Sequence, residues 1–140
     1  QINSLGKFFG LAGVRLGFVS GPSDFIKSVR GMLGPWPVSS IAAEIGKIAL
    51  NDKTWISQME KILLEGSNVL HKACNTKNWK LIGKTNLFHT YATSSSLEVE
   101  KQFAAHYIWI RTFDYSETWV RLGIPTSKYE WTRVRQALNQ

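Results

Sequence analysis

Apolar and polar positions along the chain predict the order strand, three helices, two strands, helix, two strands, helix. Residues 12–20 are apolar and rich in β-formers, and they end at a Gly-Pro turn, which predicts a buried strand. Residues 38–52 and 53–74 carry apolar positions three and four apart, which is the spacing of a helix face. Before these two stretches, residues 22–33 are predicted to form a helix with Ser23 as its N-cap.

The second half of the chain alternates in shorter blocks. Apolar blocks predict four strands, and the last two of these flank an acidic turn at residues 114–117. Two helical blocks follow Ser or Thr capping positions. The predicted strands fall in residues 79–83, 86–93, 107–113 and 119–125, and the predicted helices in residues 96–106 and 127–140. This alternation is typical of an α/β or α+β architecture, with a small sheet that helices cover on one face.

Composition indicates a folded domain. The chain has 140 residues, of which 44% are hydrophobic and 19% charged, with a net charge of +7. The basic residues are scattered, and no apolar stretch approaches the length of a bilayer span, so we predict neither a nucleic-acid nor a membrane partner. Cys74 is the single cysteine, which agrees with the cytoplasmic location that we predict. The three histidines, His71, His89 and His106, lack the spacing of a metal site, and we predict no metal.

The segment SLGKFFGLAGVRLGF places Lys7 among glycines and aromatic residues. Its glycines match neither the dinucleotide-binding pattern nor the P-loop pattern. Ser4 and Lys7 match S-x-x-K of serine hydrolases, but no S-D-N or K-T-G element follows. Lys7 among apolar neighbours can serve as an amine nucleophile, and Ser4 with Arg15 can hold a phosphate. The alternative is a surface lysine beside a turn.

Two arginines interrupt the last two apolar strands. A charge in such a strand is costly unless it is paired. Arg111 and Arg121 therefore predict either salt bridges with Asp114 or Glu117, or a site for a doubly anionic substrate. Phe88, on an earlier strand, is expected to serve core packing and the sheet surface.

Residues 4–17 follow S-x-x-K-x-x-G-L-A-G-x-R-x-G, which resembles the cofactor-lysine segment of fold-type I pyridoxal-phosphate enzymes. The resemblance is closest to the branch that holds histidinol-phosphate aminotransferases and threonine-phosphate decarboxylases. Gly6 fits the decarboxylases better, because the aminotransferases usually have a hydroxyl residue directly before the lysine. Residues 34–39 resemble the start of this branch's interdomain helix, and residues 108–125 resemble its paired-arginine strands.

The resemblance implies a role for each of these residues. Lys7 would be the catalytic residue that bonds pyridoxal 5′-phosphate, and Ser4 and Arg15 would hold the cofactor's phosphate. Arg121 would bind the α-carboxylate of a phosphorylated amino acid, and Arg111 would bind its phosphate. In this pattern glycine is usual at the position of Tyr107, and a second arginine is common at that of Thr112.

The resemblance also implies a domain organisation. Residues 1–35 would complete a large cofactor-binding domain, and residues 36–140 would form the interdomain helix and a small α+β domain. The chain would then be the C-terminal portion of a longer enzyme, binding the cofactor weakly and not turning over alone.

The expected activity is decarboxylation of L-threonine O-3-phosphate in cobalamin biosynthesis, by a homodimer. One alternative is an aminotransferase, such as that for histidinol phosphate. An alternative of another class is a non-catalytic α/β interaction domain.

Overall fold

The computed structural model describes residues 1–139. They form two compact units, Gln1–Ile56 and the described residues from Ser57 onward. The predicted succession of helices and strands is present, with one further short strand at the start. The elements are β1 (Ile2–Ser4), β2 (Gly17–Val19), α1 (Ser23–Leu33), α2 (Ser40–Asn51), α3 (Lys53–Asn75), β3 (Lys80–Lys84), β4 (Phe88–Ala92), α4 (Ser96–Ala104), β5 (Arg111–Phe113), β6 (Ser116–Gly123) and α5 (Lys128–Leu138). The predicted domain division at residue 35 concerns a whole enzyme and stays a prediction.

In the first unit, β1 and β2 form an antiparallel hairpin in which Ser4 lies opposite Gly17. The prediction of a buried strand over residues 12–20 is wrong for most of that stretch. Residues 12–14 form a 3-10 turn, and Arg15 takes a left-handed backbone conformation with φ of 57°. β2 has only three residues, all of them exposed. Leu16 is the residue of this stretch that reaches the core, because the hairpin leaves its other apolar positions uncovered within the unit.

Local capping sets the helix ends. The predicted N-cap at Ser23 is wrong, because Pro22 takes that position with an extended backbone and Ser23 is the first helical residue. Gly34, with φ of 75°, follows the last helical residue and ends α1. The side chains of Ser39 and Asp52 accept backbone hydrogen bonds from the first turns of α2 and α3.

In the second unit, four antiparallel strands form a sheet in the order β3-β4-β6-β5. Side chains alternate between its faces, so that Val120 and Leu122 are buried while Arg121 between them is only half-buried. The buried face and three helices share one hydrophobic core, as the strand and helix pattern predicts. Its members are Leu70 and Cys74 of α3, Val99 and Phe103 of α4, Val134, Ala137 and Leu138 of α5, and Tyr91, Ile110, Val120 and Leu122 of the sheet side.

The predicted strand over residues 107–113 begins only at Arg111, because the chain first closes α4. Tyr107 N donates to the carbonyl of Ala104 at 2.8 Å, and Ile108 N donates to the carbonyl of Phe103 at 3.0 Å. This pair of bonds is the Schellman motif, which requires a left-handed residue at the position of Tyr107. Tyr107 has φ of 56°. The position therefore favours glycine, which is the residue usual in the pattern.

A buried polar network crosses the core of this unit. Ser67 Oγ and His89 Nε2 share a hydrogen bond of 2.7 Å, and His89 Nδ1 shares one of 3.0 Å with the Tyr91 hydroxyl. His71 Nδ1 lies 3.3 Å from the same hydroxyl. Burial raises the pKa of Cys74 to about 12, so its thiol stays protonated as the predicted small core residue.

The stability of the chain is expected to depend on pH through His89. Burial, and then the positive charges of Lys84 and His71, lower the pKa of His89 from 6.5 to about 4. The unfolded chain therefore binds a proton between these pH values that the folded chain does not bind. His89 stabilises the fold fully above pH 6.5, and this contribution is lost as the pH falls to about 4. The linked loss in the free energy of unfolding is about 3 kcal/mol between pH 7 and pH 4.

Urea unfolding of the wild-type chain and of His89→Gln at these two pH values measures this effect. Glutamine keeps an amide that can hydrogen-bond with Ser67 but does not titrate. Protonation of carboxylates changes the free energy of unfolding of both chains alike, so the difference between the chains reports on His89. The wild-type chain is expected to lose about 3 kcal/mol more than the variant. Equal losses in the two chains would contradict the assignment.

Candidate active site

The loop between β1 and β2 is fixed to its own unit by the buried side chains of Leu5 and Leu16. Leu5 N donates to the carbonyl of Leu16 at 3.2 Å, and Leu11 N donates to the carbonyl of Leu5 at 2.9 Å. The side chains of Leu5 and Leu16 pack against α2 at Gly46, and a Cβ at Gly46 would overlap a methyl group of Leu16. The absence of a side chain at Gly46 therefore lets the loop approach the helix closely.

The loop brings together the three residues that the sequence predicts for the cofactor. Ser4, Lys7 and Arg15 line one cavity of about 290 Å³ and are all exposed. The rest of the lining consists of Gly6, Leu11, Ala12, Leu16 and Gly17. Because Ser4 and Arg15 are 11 positions apart in the sequence, it is the closed hairpin that places the two side chains in the same cavity.

Short backbone contacts set the geometry of this cavity. Ser4 Oγ accepts a hydrogen bond from Gly6 N at 2.9 Å, and a Cβ at Gly6 would lie 3.2 Å from that oxygen. Arg15 Nη1 donates to the carbonyl of Ala12 at 3.2 Å. Gly10 N donates to the carbonyl of Lys7 at 3.0 Å and so closes the turn that carries the lysine.

Within this chain, the apolar neighbours of Lys7 in the sequence do not bury its side chain. The ring of Phe9 stacks on Trp55 with centroids 5.6 Å apart, and Phe8 meets the same indole edge-on at 5.6 Å. These aromatic residues hold the part of the loop directly after Lys7 against Trp55, and the side chain of Lys7 stays exposed.

The donor set of the cavity fits a phosphorylated aldehyde. Arg15 offers a planar fork of N–H donors and Ser4 a hydroxyl, both suited to phosphate oxygens. Lys7 offers a primary amine, the group that bonds carbonyl carbons. Ser4 and Arg15 would hold the phosphate, and Lys7 would hold the carbonyl carbon.

Arg111 and Arg121 lie in the second unit, directly opposite each other on β5 and β6. Like charges directly opposite on a sheet repel. Among the described residues, the ion pairs are Lys27–Asp24 and Lys47–Glu44, so neither arginine has the salt bridge to Asp114 or Glu117 that was one alternative. Within the same residues, neither guanidinium donates a hydrogen bond. The pair is therefore available to an anion from outside this unit.

Aromatic rings surround this arginine pair, which the sequence analysis did not anticipate. The Cζ atom of Arg121 lies 4.6 Å from the ring centre of Phe88 and 5.9 Å from that of Phe113. Phe88 was expected only as core or sheet surface, and Phe113 was not considered. Because the ladder is irregular between Arg111 and Phe113, the sequence contains no reliable signal that both side chains would approach Arg121.

The described residues contain no group of three or more His, Cys, Asp or Glu side chains arranged to hold a metal ion. No helix within residues 1–139 combines the length and hydropathy that a bilayer span needs.

Comparison with known proteins defines the family. Residues 2–138 match the family model described as aminotransferase class I and II, and the chain belongs to that family. It is 31% identical over 137 residues to a threonine-phosphate decarboxylase of Pseudomonas aeruginosa, covering 98% of this chain and 41% of the relative. It is 29% identical to a histidinol-phosphate aminotransferase of Legionella pneumophila, covering 82% of this chain and 32% of the relative.

The fold also has a solved counterpart. The crystal structure of L-threonine-O-3-phosphate decarboxylase from Porphyromonas gingivalis matches with a TM-score of 0.70 at 19% identity, over 99% of this chain and 45% of that one. These findings confirm the predicted family and fold class. The relatives are pyridoxal-phosphate-dependent enzymes, which confirms the predicted enzyme and cofactor class. The chain spans less than half the length of these proteins.

Proposed function

We propose that the protein carrying this chain is a pyridoxal-phosphate-dependent decarboxylase of L-threonine O-3-phosphate. The observation that carries the proposal is the opposed pair Arg111 and Arg121, which has no carboxylate or hydrogen-bond partner among the described residues. Two adjacent guanidinium groups suit a substrate with two anionic groups, and a phosphorylated amino acid has both a carboxylate and a phosphate. The decarboxylase relatives share the family and the fold.

Each residue has a defined task in this proposal. Ser4 and Arg15 hold the cofactor's phosphate, and Lys7 holds its carbonyl carbon and carries protons to and from the substrate. Arg121 binds the substrate's α-carboxylate through its two-pronged donor set, and Arg111 binds the substrate's phosphate. When bound, pyridoxal phosphate supplies an electron sink for the bond that breaks at Cα. The homodimer and the cytoplasmic location stay predictions.

An aminotransferase acting on histidinol phosphate is the second candidate, because a relative of this chain carries that name. Histidinol phosphate has a phosphate and an amine but no carboxylate. The amino-acceptor 2-oxo acid supplies the carboxylate in that reaction, so Arg121 would bind the acceptor instead.

The two candidates differ in their products. The full-length gene product, loaded with pyridoxal phosphate, is supplied either with O-phospho-L-threonine or with L-histidinol phosphate and 2-oxoglutarate. The proposal expects release of CO₂ and aminopropanol phosphate from the first mixture, and unphosphorylated L-threonine serves as the control. Glutamate formation from the second mixture, with no CO₂ from the first, would favour the aminotransferase.

A further inference from the structure

Phe88 and Phe113 form an aromatic clamp around the guanidinium of Arg121. The Cζ atom of Arg121 lies 4.6 Å from one ring centre and 5.9 Å from the other. Phe113 is shared, because the Cζ atom of Arg111 lies 6.0 Å from the same ring centre. All three distances are within the range of cation–π attraction. Phe88 therefore contacts one arginine of the pair, and Phe113 contacts both.

The register of the sheet explains how the clamp forms. Phe88 lies opposite Gly123, two residues along β6 from Arg121, on the same face. Phe113 is in turn supported by the ring of Tyr115, with centroids 5.2 Å apart, and by the edge of Trp119 at 6.5 Å.

The two aromatic rings offset the electrostatic repulsion between the arginines of the pair. Two guanidinium groups directly opposite on a sheet repel, and no described carboxylate neutralises them. The negatively charged faces of aromatic rings attract both cations without accepting their in-plane N–H groups. A guanidinium held this way keeps its donors free for an anion, whereas a salt bridge would consume them.

We propose that Phe88 and Phe113 are positioning residues that order Arg121 for its anion, and that Phe113 does the same for Arg111. The identity of the anion, a phosphorylated amino acid, rests on the proposed function. The clamp itself lies within this chain and does not depend on turnover, so it is tested on the full-length gene product with inorganic phosphate as the probe.

The experiment follows the side-chain Nε–Hε signals of the two arginines by NMR. Phe88→Leu is expected to remove the contribution of Phe88 to the ring-current shift of Arg121 while leaving the signal of Arg111 unchanged. Phe113→Leu is expected to change both signals. Titration with phosphate is expected to give a dissociation constant at Arg121 that is about tenfold higher in Phe88→Leu than in the wild-type chain. Phe88→Tyr keeps an aromatic face and is expected to stay within about twofold of the wild type.

Tyr129→Leu is the matched control, because this exposed ring lies on α5 of the same unit, where it faces Arg133 and not the arginine pair. It is expected to leave phosphate affinity unchanged. The proposal is overturned if phosphate does not shift the Arg121 signal of the wild-type chain, or if Phe88→Leu and Phe88→Tyr bind phosphate equally well. It is also overturned if Tyr129→Leu weakens binding as much as Phe88→Leu. Failure of O-phospho-L-threonine turnover would overturn the proposed function alone, since the phosphate titration does not depend on it.

Discussion

Lys7→Ala in the full-length gene product is expected to lower turnover at least about a thousandfold. Alanine has no amine to bond the cofactor's carbonyl carbon or to carry a proton at the substrate's Cα. The substitution removes little else, because Lys7 is exposed and the turn that carries it is closed by its backbone carbonyl and Gly10 N. The loss is therefore expected in the chemistry and not in the fold.

Borohydride reduction followed by peptide mass spectrometry measures the bond directly. The wild-type protein is expected to show the mass of the reduced cofactor on the peptide that carries Lys7, and Lys7→Ala is expected to show none. Lys27→Ala is the control, since Lys27 is an exposed lysine of α1 that pairs only with Asp24. If Lys7→Ala kept full turnover, or if the cofactor were trapped on another lysine, the catalytic assignment would be wrong. Indifference to Lys7→Ala would favour the non-catalytic interaction domain.

Features decided by a few neighbouring residues could be predicted from the sequence. The caps of α4 and α5 are serines, Ser95 and Ser127, as the predicted Ser or Thr capping positions require, and Ser127 forms a capping box with Glu130. The side chains of Ser4, Lys7 and Arg15 line one cavity, and the loop that brings them together lies entirely within the motif of residues 4–17. The prediction of a cap at Ser23 was wrong because the preceding residue, Pro22, already supplies the extended backbone that a cap requires.

Burial and chain reversal were harder to predict. Residues 12–20 have the composition of a buried strand, but within the first unit only Leu16 of these residues is buried. Tyr107 sits where the chain must turn left-handed to close α4, and a tyrosine gives no signal of that conformation. In both cases long-range packing and backbone geometry, which composition does not encode, decided the outcome.

The arginine pair shows the same limit at the site itself. The sequence indicated that Arg111 and Arg121 interrupt two strands, but not that they face each other. Phe113 pairs with Ser116, and a regular antiparallel ladder would then place Arg111 opposite Thr118. The irregularity between Arg111 and Phe113 shifts the register by three residues. This shift creates the opposed pair, and an irregular ladder has no sequence pattern that would reveal it.

Arg121→Ala is expected to raise the KM for O-phospho-L-threonine about a hundredfold, while the cofactor stays bound to Lys7. The reason is the loss of a two-pronged donor that, in this proposal, binds the α-carboxylate. Steady-state kinetics give the KM, and the borohydride assay reports the cofactor in the same samples. Arg135→Ala is the matched control, because Arg135 is an exposed arginine of α5. Arg121→Lys is expected to fall between the wild type and alanine, since lysine keeps the charge but not the planar fork.

The separate roles of the two arginines make a sharper test than either substitution alone. If Arg111 binds the phosphate, Arg111→Ala weakens binding of O-phospho-L-threonine but leaves the weak binding of unphosphorylated L-threonine unchanged. If Arg121 binds the carboxylate, Arg121→Ala weakens both ligands by a similar factor, because both carry that group. The opposite pattern would exchange the two assignments, and unchanged affinity in both variants would rule out the pair as the substrate site. Since the two residues lie directly opposite each other, only this dependence on the ligand, and not their position, distinguishes their roles.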